Sequence, residues 1–213
     1  MRTPHTRTAT ALLAVLASAA LLAGCSDEPT QGSPSPTGAQ PPQQPDSALP
    51  HSGAPKVEDP IDTSGFEAEP CGVITEGQLN SVGARTRKIE PDLEGATGPS
   101  CRWSLEPIDN GSFSGAFMTA NREGLSNLYS KYQSGELGFF EEMDSVRGYP
   151  AVAADLGDRR SKGYCNLEVG VRDDLTFHVG VSASFDESPN HDDPCGAARE
   201  LAALAIQTMK GGA

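Results

Sequence analysis

The chain has 213 residues, of which 29 are acidic and 16 basic, so its formal net charge is −13. A protein with this excess of negative charge repels phosphate, which excludes nucleic-acid binding driven by counterion release. Glycine and proline are frequent, at 23 and 17 residues, and most of the prolines lie in the first third. A chain of this length with one disordered third has room for a single folded domain.

Residues 1–24 have the pattern of a secretion signal. Arg2 and Arg7 precede an uncharged run from Ala9 to Ala23, which is shorter than the roughly 20 residues that a membrane-spanning helix needs. The run ends in Leu-Leu-Ala-Gly before Cys25, and this ending resembles the lipobox of bacterial lipoproteins. The resemblance implies cleavage before Cys25, fatty acylation of its thiol and anchoring on the outer face of the cytoplasmic membrane.

Residues 25–65 combine this cysteine with a polar, proline-rich segment. Nine of the 17 prolines lie between Ser26 and Ser64, with almost no large apolar residue. Such a segment buries too little surface to offset the entropy lost on ordering, so we expect a disordered tether. About 40 flexible residues span roughly 35 Å as a coil.

Residues 66–213 form the expected extracytoplasmic domain, which is large enough to build its own core. Thr75 and Gln78 form a capping-box pattern that predicts a short helix ending near Gly83. Strands are predicted over 86–89, 101–105 and 115–121, with a turn at 109–111 before the third. Helical spacing of Leu125, Leu128, Tyr129 and Tyr132 predicts a second helix over 124–133, with these side chains in the core.

The second half of the domain carries clearer alternation. Apolar residues recur at every second position over 164–171 and over 175–184, which predicts a hairpin that turns at residues 172–174. Residues 195–209 have an apolar face at helical spacing and predict a C-terminal helix. Antiparallel strands with N-terminal, middle and C-terminal helices indicate an α+β fold.

Four further cysteines lie in the domain: Cys71, Cys101, Cys165 and Cys195. An even set in an exported protein predicts two disulfides, and none of the spacings is the Cys-x-x-Cys of a zinc or redox site. Three pairings are possible. We favour Cys71–Cys101 and Cys165–Cys195, because each pair joins a predicted helix start to a strand across 30 residues.

Motifs for catalysis are missing from the sequence. Phe113 stands where the Gly-x-Ser-x-Gly pattern of hydrolases needs serine, and no Ser-x-x-Lys occurs. His178 lies on the polar side of its predicted strand, so we interpret it as a surface residue and not as a base. We therefore expect a protein that is not an enzyme and that has no cofactor.

Two acidic clusters are weak candidates for metal binding. His191, Asp192 and Asp193 precede Pro194, where Asp193 is better explained as the N-cap of the last helix. Residues 141–144, Glu-Glu-Met-Asp, supply too few oxygen ligands for a calcium site and are interpreted as a solvated turn. We expect no metal.

Two residues are the candidates for a recognition surface. Alternation places Arg102 on the face opposite Cys101 and Trp103, so the tryptophan packs inward and the arginine points outward. Tyr149, in the sequence Gly148-Tyr149-Pro150-Ala151, suits either the start of a strand or the lip of a pocket.

Several segments of the domain resemble one family. They are Glu69-Pro70-Cys71, Cys101-Arg102-Trp103, residues 148–151, Cys165-Asn166-Leu167 and Asp193-Pro194-Cys195. In this order they are similar to actinobacterial cell-envelope lipoproteins known only as a domain of unknown function, although Glu69 replaces the usual Asp. The resemblance implies a membrane-anchored envelope protein and, as partner, an envelope or type VII secretion-associated protein.

Three functions remain open from the sequence. The leading hypothesis is a monomeric, non-catalytic binding module of the cell envelope. A carrier of a small or lipidic ligand is the alternative, and it would need an apolar cavity between sheet and helix. An enzyme is the least favoured of the three.

Overall fold

Seven antiparallel strands form one sheet in a computed structural model of the chain, which describes residues 48–212. The strands are β1 (Arg85–Asp92), β2 (Ser100–Glu106), β3 (Ser112–Phe117), β4 (Phe139–Val146), β5 (Tyr149–Asp155), β6 (Tyr164–Arg172) and β7 (Leu175–Ser182). Their order in the sheet is β1-β2-β3-β7-β6-β5-β4. The hairpin β6–β7 therefore lies at the centre, and β1 and β4 form the edges.

Four α-helices accompany the sheet: α1 (Ser64–Ala68), α2 (Glu76–Ser81), α3 (Ser126–Gln133) and α4 (Pro194–Met209). Thr75 and Gln78 cap α2 reciprocally through their side chains, and Gly83 follows with a positive φ of 73°, as the sequence predicts. Asp193 caps α4 through a 2.9 Å hydrogen bond from the Gly196 N–H. None of the helices in residues 48–212 combines the length and the apolar character needed to cross a membrane. The α+β prediction is confirmed.

The main core lies between one face of the sheet, here called the inner face, and α4. Trp103 is fully buried and stacks on Phe113 with ring centroids 4.8 Å apart. The alternating residues predicted to point inward on β6 and β7 are all buried in this core, as is the apolar side of α4. The alternation rule thus places the central hairpin correctly.

Helix α3 packs on the opposite, outer face of the sheet. Leu125 and Tyr129 contact Val152 and Ala154 of β5 in a second, smaller apolar cluster. Tyr129 also donates a 2.8 Å hydrogen bond to Glu142, and desolvation by burial, with this carboxylate, raises its pKa. Tyr132 is half exposed and stacks on Phe140, so its predicted place in the core is wrong.

Residues 48–63 form an N-terminal strap that packs against the domain. Val57, Ile61 and Thr63 are buried. The Ile61 N–H donates to the Val171 carbonyl at 3.0 Å, and the Val57 N–H donates to the Asp173 carboxylate at 2.8 Å. The ordered domain therefore begins before Phe66, and the expected boundary at residue 65 lies too far along the chain.

Two disulfides connect the elements as favoured from the sequence. Cys71 pairs with Cys101 and Cys165 pairs with Cys195, with Cα–Cα distances of 5.0 and 5.2 Å. The first joins the turn before α2 to β2, and the second joins β6 to the start of α4. Each bond thus fixes a helical segment to the sheet.

Strand β4 was not anticipated from the sequence, and the start of β5 at Tyr149 was one of two interpretations of residues 148–151. Residues 141–144, interpreted as an acidic turn, lie within β4, where Glu141 and Met143 pair with Ala153 and Ala151. Strand β3 also begins earlier than predicted, at Ser112, because its whole length pairs with β7 from Ser112 to Phe117. Backbone pairing with a neighbouring strand, which the local pattern does not reveal, sets both elements.

Candidate functional site

The outer face of the sheet has a covered half and an open half. Helix α3 covers β4, β5 and part of β6, where the outward side chains include the apolar Phe140, Val152 and Ala154. The other outward positions, on β1, β2, β3 and β7, are mostly polar, and no helix among residues 48–212 packs over them. We call this surface the open half.

Strand register aligns five outward residues in one row across the open half. Glu90 pairs with Arg102, Arg102 with Ser114, Ser114 with Gly180, and Gly180 with Asn166. Adjacent strands lie about 4.8 Å apart, so neighbours in this row are within side-chain reach. The row brings together residues that are up to 90 positions apart in the sequence.

Gly180 makes a depression in this row, which we call the Gly180 notch. A Cβ atom at this position would lie 2.9 Å from Ser114 Oγ, 3.0 Å from His178 Nε2 and 3.4 Å from Asn166 Oδ1. Three polar atoms from three strands therefore crowd the position that a side chain on residue 180 would occupy. The missing side chain, and not a turn, explains the glycine here.

His178 is held by a buried carboxylate. Its Nδ1 lies 2.9 Å from Glu168 Oε1, and Thr176 donates a 2.6 Å hydrogen bond to Glu168 Oε2. Since an ionised carboxylate only accepts, Nδ1 carries the proton and Nε2 is left on the side of the notch. His178 and Glu168 expose 20% and 11% of their side chains, so His178 lies on the outward, polar side of its strand as predicted but is only partly exposed.

The surroundings of His178 shift the pKa of its imidazole ring. Burial lowers the pKa of His178, but the charge of Glu168, its hydrogen bond and the more distant Asp155 outweigh burial and raise the pKa above its ordinary value. A protonated ring donates at both nitrogens. Its Nε2–H then points to the notch.

A shallow cleft of about 490 Å³ lies beside the notch and shares Ser114 and His178 with it. Arg102, Ser114 and His178 line its floor, and Glu90 and Asp92 of β1 line one side. Arg102 is exposed and donates from Nη1 to Ser112 Oγ at 3.1 Å. This first candidate residue therefore points outward, as expected, and lies within a formed cleft.

Tyr149, the second candidate, does not line this cleft. It starts β5 on the inner face, only 3% of it is exposed, and its hydroxyl donates to the Asp59 carbonyl at 2.8 Å. Lys210 covers its ring and pairs with the Asp59 carboxylate at 2.9 Å. Tyr149 thus fastens the strap to the C-terminal end of α4, and its assignment to a recognition surface is wrong.

The weak metal candidates do not form a site. His191 Nδ1 lies 2.9 Å from the Ala183 carbonyl, and Asp193 serves as the helix cap described above. Among the described residues, no group of three or more His, Cys, Asp or Glu side chains is placed to hold a metal ion.

Ser114, Glu168 and Gly180 were not identified from the sequence. Period-two alternation assigns each to the outward side of its strand, but only the strand register brings them together. The partial signal was a run of polar and small residues at alternate positions in β3, β6 and β7, the pattern of an antiparallel strand with one face away from the core.

Comparison with known proteins identifies a family. The model of the family described as "Protein of unknown function (DUF3558)" matches residues 20–208. No curated protein and no solved structure matches the chain. Since the match spans most of its 213 residues, the chain belongs to the DUF3558 family of proteins of unknown function.

Proposed function

We propose that the chain is a lipid-anchored, extracytoplasmic binding module of the cell envelope, and that the open half of its sheet binds a protein partner. The observation that carries this proposal is the cleft around Arg102 and His178, two basic side chains on an uncovered part of a strongly acidic protein. Arg102 and His178 can donate hydrogen bonds to a partner, and Glu90 and Asp92 on one side of the cleft can accept them, so this mixed-charge surface can fix a partner's orientation.

The core supports a binding module over a carrier. The cavity between α4 and the sheet, lined by Leu105, Phe113, Val181 and Leu201 among others, has a volume of about 50 Å³. Pockets for small organic ligands measure about 300–1,000 Å³. A space of this size holds water but no acyl group of a lipid.

Local geometry also favours binding over catalysis. Ser114 lies in the middle of β3 and pairs with both β2 and β7, so nearby N–H groups serve the sheet and do not point to a shared oxyanion position. The side chains of Ser114 and His178 suit hydrogen bonding to a bound ligand.

Anchoring through Cys25 completes the proposal, although this residue lies outside the described part of the chain. Two or three acyl chains hold a protein on a membrane essentially permanently. We expect a Cys25→Ala variant to lose incorporation of an alkyne-labelled palmitate and to leave the membrane fraction or remain unprocessed. A processed variant that stays on the membrane would contradict this anchor.

Partner capture tests the binding surface. The native lipoprotein is crosslinked in intact envelopes, purified and analysed by mass spectrometry for protein and for lipid. We expect Arg102→Glu to reduce capture of an extracytoplasmic protein, while Arg199→Glu, at an exposed position on α4, does not. Equal capture by both variants would contradict the assigned surface, and recovery of a stoichiometric lipid alone would support the carrier.

A further inference from the structure

Apolar side chains are exposed at one corner of the sheet, where β5 ends and β4 begins. Leu156, the first residue after β5, is 80% exposed, and Tyr132 of α3 is 52% exposed. The Tyr132 ring stacks on the half-buried Phe140 ring of β4 with centroids 4.4 Å apart. We call residues 131–140 and 155–162 the β4–β5 corner.

Backbone contacts join these side chains into one surface. The Gly138 N–H donates to the Asp155 carbonyl at 3.1 Å, which places Leu156 beside the segment that leads into Phe140. Tyr132 contacts the same phenylalanine from α3. An exposed apolar residue that stands alone needs no explanation, whereas neighbouring ones mark a surface that contacts a partner or a membrane.

The charge of this corner differs from that of the described domain as a whole. Its two segments carry four basic and three acidic side chains, whereas residues 48–212 together carry 14 basic and 26 acidic ones. Ion pairs join Arg159 to Asp155, and Arg160 to Asp158 and Glu141. Lipid phosphates, which are negative, therefore meet less repulsion at this corner than against the rest of the domain.

The chain enters the described structure next to the same corner. The Gln133 side chain donates to the Ser52 carbonyl at 2.7 Å, and Gln133 directly follows Tyr132. If Cys25 carries the lipid, about 23 residue steps separate it from Ala48. A tether of this length gives the corner an effective concentration at the membrane of the order of millimolar. A contact with weak affinity of its own is then sufficient.

We propose that the β4–β5 corner contacts the lipid surface of the membrane, with Leu156 among the acyl chains and Tyr132 at the level of the headgroups. The amphipathic tyrosine ring suits this interface, and the exposed Lys131 and Lys162 can approach lipid phosphates. This inference rests on the anchoring in the proposed function and adds an orientation. The open half lies towards the other edge of the sheet and stays accessible.

Tryptophan fluorescence tests the contact, because the only native tryptophan, Trp103, is fully buried. The chain from residue 25, with Cys25→Ala and an N-terminal histidine tag, is held on vesicles of phosphatidylcholine, phosphatidylglycerol and nickel-chelating lipid. We expect Leu156→Trp to emit at shorter wavelength on these vesicles and to lose emission when the acyl chains are brominated. Emission that is unchanged by brominated lipid would overturn the proposal.

Leu93→Trp is the matched control. Leu93 is 56% exposed and follows β1, at the other edge of the sheet. Since β1 and β5 run in opposite directions, Leu93 and Leu156 also lie at opposite ends of the strands. We expect brominated lipid to leave the emission of Leu93→Trp unchanged. Equal quenching of the two variants would overturn the proposal, because the domain would then have no preferred side.

A second tryptophan position tests the role of Leu156 itself. Tyr132→Trp should also be quenched by brominated lipid, and adding Leu156→Glu should remove most of this quenching, because a carboxylate is costly to transfer into hydrocarbon. Leu156 is exposed, so the fold tolerates the change. Adding Leu93→Glu is the control and should leave the quenching unchanged. Quenching that survives Leu156→Glu would overturn the insertion of Leu156.

Three further results separate this inference from the function on which it rests. Because the histidine tag supplies the attachment, quenching of Leu156→Trp without palmitate on native Cys25 would support the corner and contradict the anchor. Quenching together with partner capture that Arg102→Glu does not reduce would contradict only the open half. A shift of Leu156→Trp emission that occurs without quenching by brominated lipid would show that protein covers the corner, as in a second copy, and would overturn the proposal.

Discussion

The covered and open halves of the outer sheet face belong to the same sheet but have different chemistry. Under α3, outward positions hold Val152 and Ala154, which pack against Leu125. Across β2, β3 and β7 they hold mainly Ser, Arg, His and Gly. In this sheet, apolar outward residues lie where α3 packs on the sheet. Polar outward residues lie where the sheet is accessible to water or to a partner.

Truncating a side chain should lower the free energy of unfolding much more in the covered half than in the open half. Leu125 is 3% exposed, so Leu125→Ala should lower the free energy of unfolding by about 2–5 kcal/mol through the cavity that it leaves. Ser114→Ala in the open half should change it by no more than about 0.5 kcal/mol. Urea unfolding without reductant measures both, and equal losses would contradict the division of the face.

Two outward glycines, one in each half, test the same difference with smaller expected losses of stability. A Cβ on Gly170 would lie 3.0 Å from Leu125 Cδ1 and 3.3 Å from Pro150 Cγ, under α3. Overpacking there predicts a loss of about 1–3 kcal/mol for Gly170→Ala. Gly180→Ala in the open half should cost less than Gly170→Ala, because Ser114 can turn away from the new methyl group and only the His178 ring, held by Glu168, must shift slightly. The midpoints of thermal unfolding should differ accordingly.

The boundary between the halves carries the His178–Glu168 pair, and its effect depends on pH. Because the folded-state pKa of His178 is raised, the pair stabilises the fold fully below the unfolded value of about 6.5 and loses this effect as pH rises through the folded pKa. The stability advantage of the wild type over His178→Gln should therefore be larger at pH 5.5 than at pH 9. A difference that grows with pH would contradict a raised pKa.

Charge reversal in the open half should affect stability least. Arg102 is exposed and its described hydrogen bond joins Ser112 at 3.1 Å, so Arg102→Glu should alter the free energy of unfolding by about 0.5 kcal/mol or less. Normal urea unfolding of this variant is also the control that partner capture needs. A large loss would show that Arg102 supports the fold.

Local signals in the sequence were sufficient for much of the fold. Thr75 and Asp193 cap helices through contacts that span three residues, and the alternation of β6 and β7 identified the central hairpin. The disulfide pairing followed from the same elements. Strand β4 escaped because its centre, Glu-Glu-Met-Asp, has no apolar alternation, and the start of β5 was only one of two interpretations because its small residues and Pro150 lack the usual strand composition.

The parts of the site that could not be predicted depend on contacts between residues far apart in the sequence. Arg102 was predicted to point outward from alternation alone, and it does. The notch needs Ser114, His178 and Asn166 in one register, which no local pattern encodes. Tyr149 was misassigned because its partner Asp59 lies 90 residues away, in a strap whose few apolar residues stand among prolines and polar side chains.

The strap sets how far the open half can travel from its anchor. It joins the domain beside α3, where the His51 N–H donates to Ser126, on the same outer face as the cleft. If Cys25 carries the lipid, about 23 residue steps separate it from Ala48, and no polypeptide of that length exceeds about 80 Å. The roughly 40 steps to residue 65 would have allowed about 140 Å. Because residues 48–63 pack against the domain, the domain can lie less than two-thirds as far from its anchor as it could if the chain were free up to residue 65.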